Sequence, residues 1–177
     1  MLSAPIVITP PTADVIDLEE VKLFLRYDGT ELDGEIADHV RAAVAEIERT
    51  TATRLADQVV EVRCDRFADL SHLQVGPVSA IVSIAYEDPG GVATTLAADA
   101  YELVGAGLEM GVRPAFGYSW PATRAAAGVI AVRLQVGYAA DALPATLKLA
   151  LKMLVRSKFD GTPFDLFEAT VNDRIWL

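Results

Sequence analysis

The amino-acid sequence predicts an α+β fold in which an N-terminal αα-hairpin and a long C-terminal helix form a small bundle, with a mostly antiparallel β unit inserted between them. Two changes of hydrophobic period carry that prediction. Apolar residues recur at helical spacing up to about residue 57, alternate with polar ones from Gln58, and return to helical spacing after Pro144. The third observation is the series of Gly- and Pro-containing turn signals between the middle apolar stretches, which keeps each strand short. With 177 residues, 52% of them hydrophobic and 23% charged, the chain is long enough to bury a core without a disulfide or a metal. One domain is expected, divided into an extended arm (1–16), a helical bundle (17–57 and 143–159), a β insertion (58–140) and an apolar C-terminal tail (160–177).

Each element has its own justification. The arm is broken by Pro5, Pro10 and Pro11 and carries Ile6, Val7 and Ile8 at its centre, suited to pairing with a sheet edge or with a neighbouring copy. It has no basic residue before Lys22 and no continuous apolar run, so it does not read as a signal peptide. Asp17 is placed to cap a first helix, with Glu20 three residues later in a capping-box-like pattern and Leu18, Val21 and Leu25 on one face. Asp28-Gly29 is expected to end it. A second helix over 33–53 places Ile36, Val40, Val44 and Ile47 on one stripe.

From Gln58, Val60, Val62 and Cys64 alternate with Glu61, Arg63 and Asp65, the pattern of a half-buried strand. Further strands are expected over 72–75, over 78–86 before the turn Asp88-Pro89-Gly90-Gly91, over 101–104 and 108–113 about Gly105-Ala106-Gly107, and over 129–138. Residues 116–123 form a loop with Trp120 as an aromatic anchor. Pro144 suits the first turn of a last helix whose buried stripe is Leu147, Leu151, Leu154 and Val155, ending before Asp160-Gly161. The tail beyond it holds Phe164, Leu166, Phe167, Val171, Ile175, Trp176 and Leu177, very apolar for a chain end.

Charge is distributed unevenly. Of a formal net charge of −10, residues 1–57 hold 5 basic and 12 acidic side chains (net −7), residues 58–140 hold 5 and 8 (net −3), and residues 141–177 hold 5 of each. So acidic a chain does not neutralise phosphates, which argues against a nucleic-acid binder. The last helix nonetheless carries Lys148, Lys152, Arg156 and Lys158 at helical spacing, a basic strip able to meet the acidic helices within a protomer or across to a neighbour.

No motif supports catalysis or a cofactor. The third glycine of Gly105-x-Gly107…Gly111 falls one residue late for a dinucleotide loop, and no helix follows it. Gly117-Tyr118-Ser119-Trp120-Pro121 lacks the closing glycine of a nucleophile elbow. His39 and His72 are isolated, Cys64 is a single core-facing thiol, and the carboxylate pairs read as a solvated helix face. No metal, no cofactor and no membrane span are expected. The competing reading is a small cytoplasmic enzyme or ligand-binding protein with a pocket near Tyr118 and Trp120.

The order of parts carries a resemblance. The run Asp17-Leu18-Glu19-Glu20-Val21-Lys22 with Leu25-Arg26, a helix closing on Ile47-Glu48-Arg49-x-Thr51, Gly76-Pro77-Val78 continuing through Ile81, Ser83, Ile84 and Tyr86, Pro114-x-x-Gly117-x-Ser119-Trp120-Pro121, and Val132-Arg133 with Gly137-Tyr138 before Leu143-Pro144 resemble the head-to-tail connector, or adaptor, family of tailed phages and gene transfer agents. The likeness spans residues 17–159 and stops at the tail.

The resemblance implies a non-enzymatic virion protein, assembled in the host cytoplasm. It would form a homo-oligomeric ring of roughly a dozen copies between the portal and the stopper or tail proteins, with DNA passing through unbound. An acidic wall suits such a conduit because it repels phosphate. Glu19, Asp28, Glu31, Asp33, Glu35 and Asp38 are then candidate channel-lining acids. Ile6, Val7 and Ile8 are candidates for an inter-subunit arm, and Phe164, Phe167, Ile175, Trp176 and Leu177 for the contact with the portal or a neighbour, Trp176 foremost.

Overall fold

The computed structural model describes residues 1–139 and 141–176. Leu177, one of the expected contact residues, lies outside them. The observed architecture is the predicted α+β arrangement. In chain order the elements are β1 (Ile6–Thr9), α1 (Leu18–Leu25), α2 (Asp33–Thr51), β2 (Gln58–Cys64), β3 (Val78–Glu87), β4 (Ala93–Thr95), β5 (Tyr101–Ala106), β6 (Glu109–Pro114), β7 (Ile130–Val136), α3 (Ala145–Asp160) and α4 (Leu166–Ala169).

Asp17 caps α1 as predicted, its carboxylate accepting the Glu19 N–H at 2.9 Å. Glu20 does not close the box; its carboxylate is held by Lys148 and Lys152 of α3 instead. The helix also stops sooner than Asp28-Gly29. Arg26 adopts a left-handed conformation, and its N–H and that of Tyr27 bond back to Leu23 and Lys22, closing the last turn. On α2, Ile36, Ala43 and Ile47 face the core, while Val40 and Val44 are only half-buried beside a groove. α3 buries Leu147, Ala150, Leu151, Leu154 and Val155 and ends on Gly161, whose left-handed φ of 65° glycine adopts at no steric cost.

Five strands form one antiparallel sheet in the order β1-β2-β7-β3-β4. β7 is central and pairs on both sides, Leu134 opposing Val60 of β2 and Ile81 of β3. The inward residues Val60, Val62, Cys64, Ile84, Ile130, Val132 and Leu134 are fully or almost fully buried. β5 and β6 make a separate hairpin, Tyr101 opposite Pro114.

The strand expected over 72–75 is absent. Its place is taken by a 3₁₀ turn, Phe67–Ser71, followed by irregular chain. Phe67 and Leu70, one 3₁₀ turn apart, enter the core from the same side, and Leu73 joins them from the irregular chain beyond. The sheet and the helices hold two hydrophobic clusters. One lies between the sheet, the 3₁₀ turn and the hairpin, and the other joins α1, α2, α3 and α4.

Candidate assembly surfaces

The turn between α1 and α2 gathers the candidate channel acids toward one end of the αα-hairpin. Lys22 organises the first of them: its Nζ reaches Glu19 at 3.0 Å and Asp33 at 2.9 Å while its own stem is buried. Asp33 first, then Glu19, hold the Lys22 ammonium pKa above its ordinary value. Glu31 accepts from the Tyr27 hydroxyl at 2.9 Å and from the Thr30 N–H at 3.1 Å. Its own backbone N–H first, then the Tyr27 hydroxyl and the Thr30 N–H, hold the Glu31 carboxyl below the usual carboxylate range, while burial first and the bond to Glu31 second push the Tyr27 hydroxyl up. Glu35 lies 3.6 Å from His39, Asp38 pairs with Arg41, and Asp28 is exposed. The hairpin end is therefore acidic but locally braced, with Glu35, Asp38, Asp28 and Glu31 all on the exposed side.

The basic strip of α3 meets acids of its own chain. Lys148 and Lys152 clasp Glu20 at 2.7 and 2.5 Å, Lys158 reaches Glu46 at 2.7 Å, and Arg156 lies 3.6 Å from Asp160. Hydrogen bonds from Lys148 and then Lys152 hold the Glu20 carboxyl below the usual carboxylate range. The guanidinium of Arg156 also covers the Phe24 ring at 5.0 Å, so this strip fastens α1 onto α3.

The tail is folded, and its apolar residues divide into two sets. Ile175 is buried at 6% exposure, and its N–H donates to the Thr51 carbonyl at the end of α2 at 2.9 Å. Phe164 packs against the helical cluster. Phe167 and Trp176 instead remain 54% and 63% exposed, their rings 6.4 Å apart at 76°. Between them sits Arg174, which sequence reasoning missed. Its guanidinium lies 3.7 Å from the Phe167 ring centre and 5.3 Å from that of Trp176, and donates to the Phe167 and Thr170 carbonyls and the Thr170 hydroxyl. A lone arginine among tail aromatics was the available signal. The result is an exposed aromatic knob whose two rings are braced by Arg174.

The arm pairs within its own chain. Ile6 opposes Glu61 and Val7 opposes Val60, which makes β1 an edge strand of the sheet. Ile6, Val7 and Ile8 keep exposed side chains, and Pro5 and Pro10 limit the free edge to four residues.

The competing reading places a pocket near Tyr118 and Trp120. Trp120, half-buried, stacks on Phe67 with centroids 4.5 Å apart and planes 6° from parallel. Tyr118 is exposed and donates to Asp99 at 3.0 Å. Two other concavities flank the segment 11–18 that leads from β1 to α1. One, about 600 Å³, opens between that segment, Leu55, Tyr138 and Lys148; the other, about 430 Å³, opens between it and α2. Among the described residues no group of His, Cys, Asp and Glu side chains is arranged to hold a metal, and no helix is long and apolar enough to cross a membrane. Burial pushes the Cys64 thiol up to about 11, which leaves it protonated and inert at neutral pH.

No protein-family model matches the sequence, and no curated protein matches it. Solved structures do. A chain from the neck of an empty gene transfer agent (GTA) particle, computed with C6 symmetry, superimposes with a TM-score of 0.80 at 21% identity, over 99% of this chain and 97% of that one. A chain from the virion of a native gene transfer agent particle gives 0.79 at 22% identity, and one from the neck of a native GTA particle computed with C12 symmetry gives 0.76 at 20%, both with the same coverage. From the edge strand to the folded tail, this chain has the fold of chains found in gene transfer agent necks.

Proposed function

We propose that this chain is a structural, non-enzymatic subunit of the neck of a phage-like particle. It forms a closed ring between the portal and the stopper or tail and continues the DNA channel. The observation that supports this most is the end-to-end fold likeness to neck chains, at 97% coverage of those chains with little left over on either side. Cyclic symmetry in the neck structures accords with a ring built from one repeated head-to-tail contact.

In this reading the acidic end of the αα-hairpin faces the lumen. Asp28, Glu31, Glu35 and Asp38 are exposed there, and their field repels the phosphates of DNA in transit. Glu19 and Asp33 hold that end in shape through Lys22. The Phe167–Arg174–Trp176 knob supplies the contact with the portal or a neighbouring subunit, since buried aromatic and arginine side chains dominate interface energies. Phe164 and Ile175 act from inside, fixing the knob's direction, and Ile6, Val7 and Ile8 present an apolar edge to the next copy. No cofactor takes part, and DNA passes without being bound.

Imaging of particles containing the chain tests this. The expected result is a closed ring beneath the portal with the exposed acids around the opening. A ring with all of those acids at subunit contacts sinks the channel role, and a chain that stays off the particle sinks the neck assignment.

A further inference from the structure

The arm is fastened at two places and bare between them. Leu2 is buried in the cluster between the sheet and the hairpin, and Ser3 meets Arg63 twice, its N–H donating to the Arg63 carbonyl at 2.7 Å and its hydroxyl accepting the Arg63 N–H at 2.9 Å. β1 continues this pairing, with Ile6 opposite Glu61 and Val7 opposite Val60. All four side chains of β1 are exposed, so its backbone holds it on β2. At the other end Val15 and Ile16 join the helical cluster. The link, Pro10-Pro11-Thr12-Ala13-Asp14, is exposed throughout, and among the described residues none of 10–16 donates or accepts a backbone–backbone hydrogen bond. The concavities of about 600 and 430 Å³ lie on its two sides, where packed neighbours would otherwise hold it.

From this we propose that residues 2–9 are exchanged between neighbouring copies on assembly, so that β1 of one copy lies on β2 of the next. The inference rests on the neck reading, which supplies the ring, and adds to it a strand shared around that ring. What fits the edge of β2 and the site of Leu2 is on view, since this very segment fills both. The same segment of a second copy makes the same hydrogen bonds and buries the same leucine, so exchange changes only the path of the link. Rerouting the link breaks none of the backbone–backbone bonds among the described residues and empties no packed site. Its two adjacent prolines favour an extended path, and Pro10 keeps Thr9 extended as well. Once copies stand side by side, a neighbour's arm is present at high effective concentration, and taking it up requires no new kind of contact.

The test is a full-length double variant, Val7→Cys/Val60→Cys, whose positions face each other across β1 and β2. Facing residues of paired antiparallel strands stand about 5 Å apart at Cα, within disulfide reach. Native Cys64 is buried and does not compete. Thr9→Cys/Val59→Cys, with neither residue buried, is the second pair should the first alter the circular dichroism spectrum. Particles carrying the variant are oxidised and run on a non-reducing gel. The expected result is a ladder of disulfide-linked chains extending beyond the dimer and collapsing to monomer on reduction. The free chain, oxidised in dilute solution, is expected to close a disulfide within itself and to enter particles only after reduction. Nothing larger than a dimer from the particles, or entry of the pre-oxidised chain, overturns the exchange and leaves the neck assignment standing. An unaltered chain that stays off the particle overturns both.

Discussion

Ile175 and Trp176 are chain neighbours with opposite surroundings. The first fills the space beside Gly76, where a Cβ added to the glycine would lie 3.3 Å from its Cδ1, and its N–H satisfies the carbonyl at the end of α2. The second stands in solvent against Phe167 and Arg174. Replacing Ile175 by Ala removes three carbons from a packed site and is expected to cost about 2–4 kcal/mol, read from urea unfolding. Trp176→Ala should cost under about 1 kcal/mol in the same assay, since most of its ring is already in water, yet weaken assembly more than Ile175→Ala does. Equal losses of stability would place the tryptophan in the core. Deleting residues 170–176 is therefore expected to destabilise the fold by removing Ile175 from beside Gly76 and from the Thr51 carbonyl, where composition alone suggests a detachable tail. The sequence could not separate the pair, because the partner of Ile175 is the carbonyl of Thr51, far back along the chain.

At the scale of elements, what was legible was periodic. Helices α1, α2 and α3 and strands β2, β3 and β7 each bury one face, and burial of one face is what a periodic pattern encodes. The segment after β2 escapes such a reading because Leu73 and Val75 alternate over too short a span, while Phe67 and Leu70, the apolar pair of the turn, are spaced by three. That turn is locked by β6. Gly111 brings β6 so close that an added Cβ would lie 2.2 Å from the Ser71 carbonyl oxygen, and the Leu73 N–H donates to the Met110 carbonyl at 2.8 Å. Gly111→Ala therefore has to push the two backbones away from each other, with an expected loss of roughly 1–3 kcal/mol. An unchanged urea midpoint would show that the hairpin is free of the turn. The candidate site was the less legible feature. The groove depends on how residues 11–18 cross α2, and the knob depends on where Arg174 lands.

Across the whole molecule, the charge imbalance seen in the sequence is partly folded away. Glu20 joins the acidic N-terminal third to the basic helix through two lysines, and the clasp has a defined pH dependence. The Glu20 carboxyl titrates lower in the folded chain than in the unfolded one, so its contribution is complete above the ordinary carboxylate range and is lost as pH falls through the folded value. Glu20→Gln should lower stability at pH 7 by about 0.5–1 kcal/mol, since the group is partly exposed and screened by solvent. The difference from the unaltered chain should shrink with added salt and vanish at low pH, as followed by thermal melts across pH. A difference constant with pH would mean that shape, not charge, holds α1 to α3.

The strand order also governs how the protein comes into being. β7 lies between β2 and β3 but is the last of the sheet strands to leave the ribosome, after the hairpin and the loop bearing Trp120 have already emerged. Until residue 136 is made, β2 has a partner only in the short β1, and β3 only in the three-residue β4. The sheet therefore cannot grow outward from a first hairpin; it closes when its middle arrives, over contacts far apart in sequence. A nascent chain stalled before β7 would present two apolar strand edges to its neighbours, so full-length synthesis must precede any orderly joining of copies.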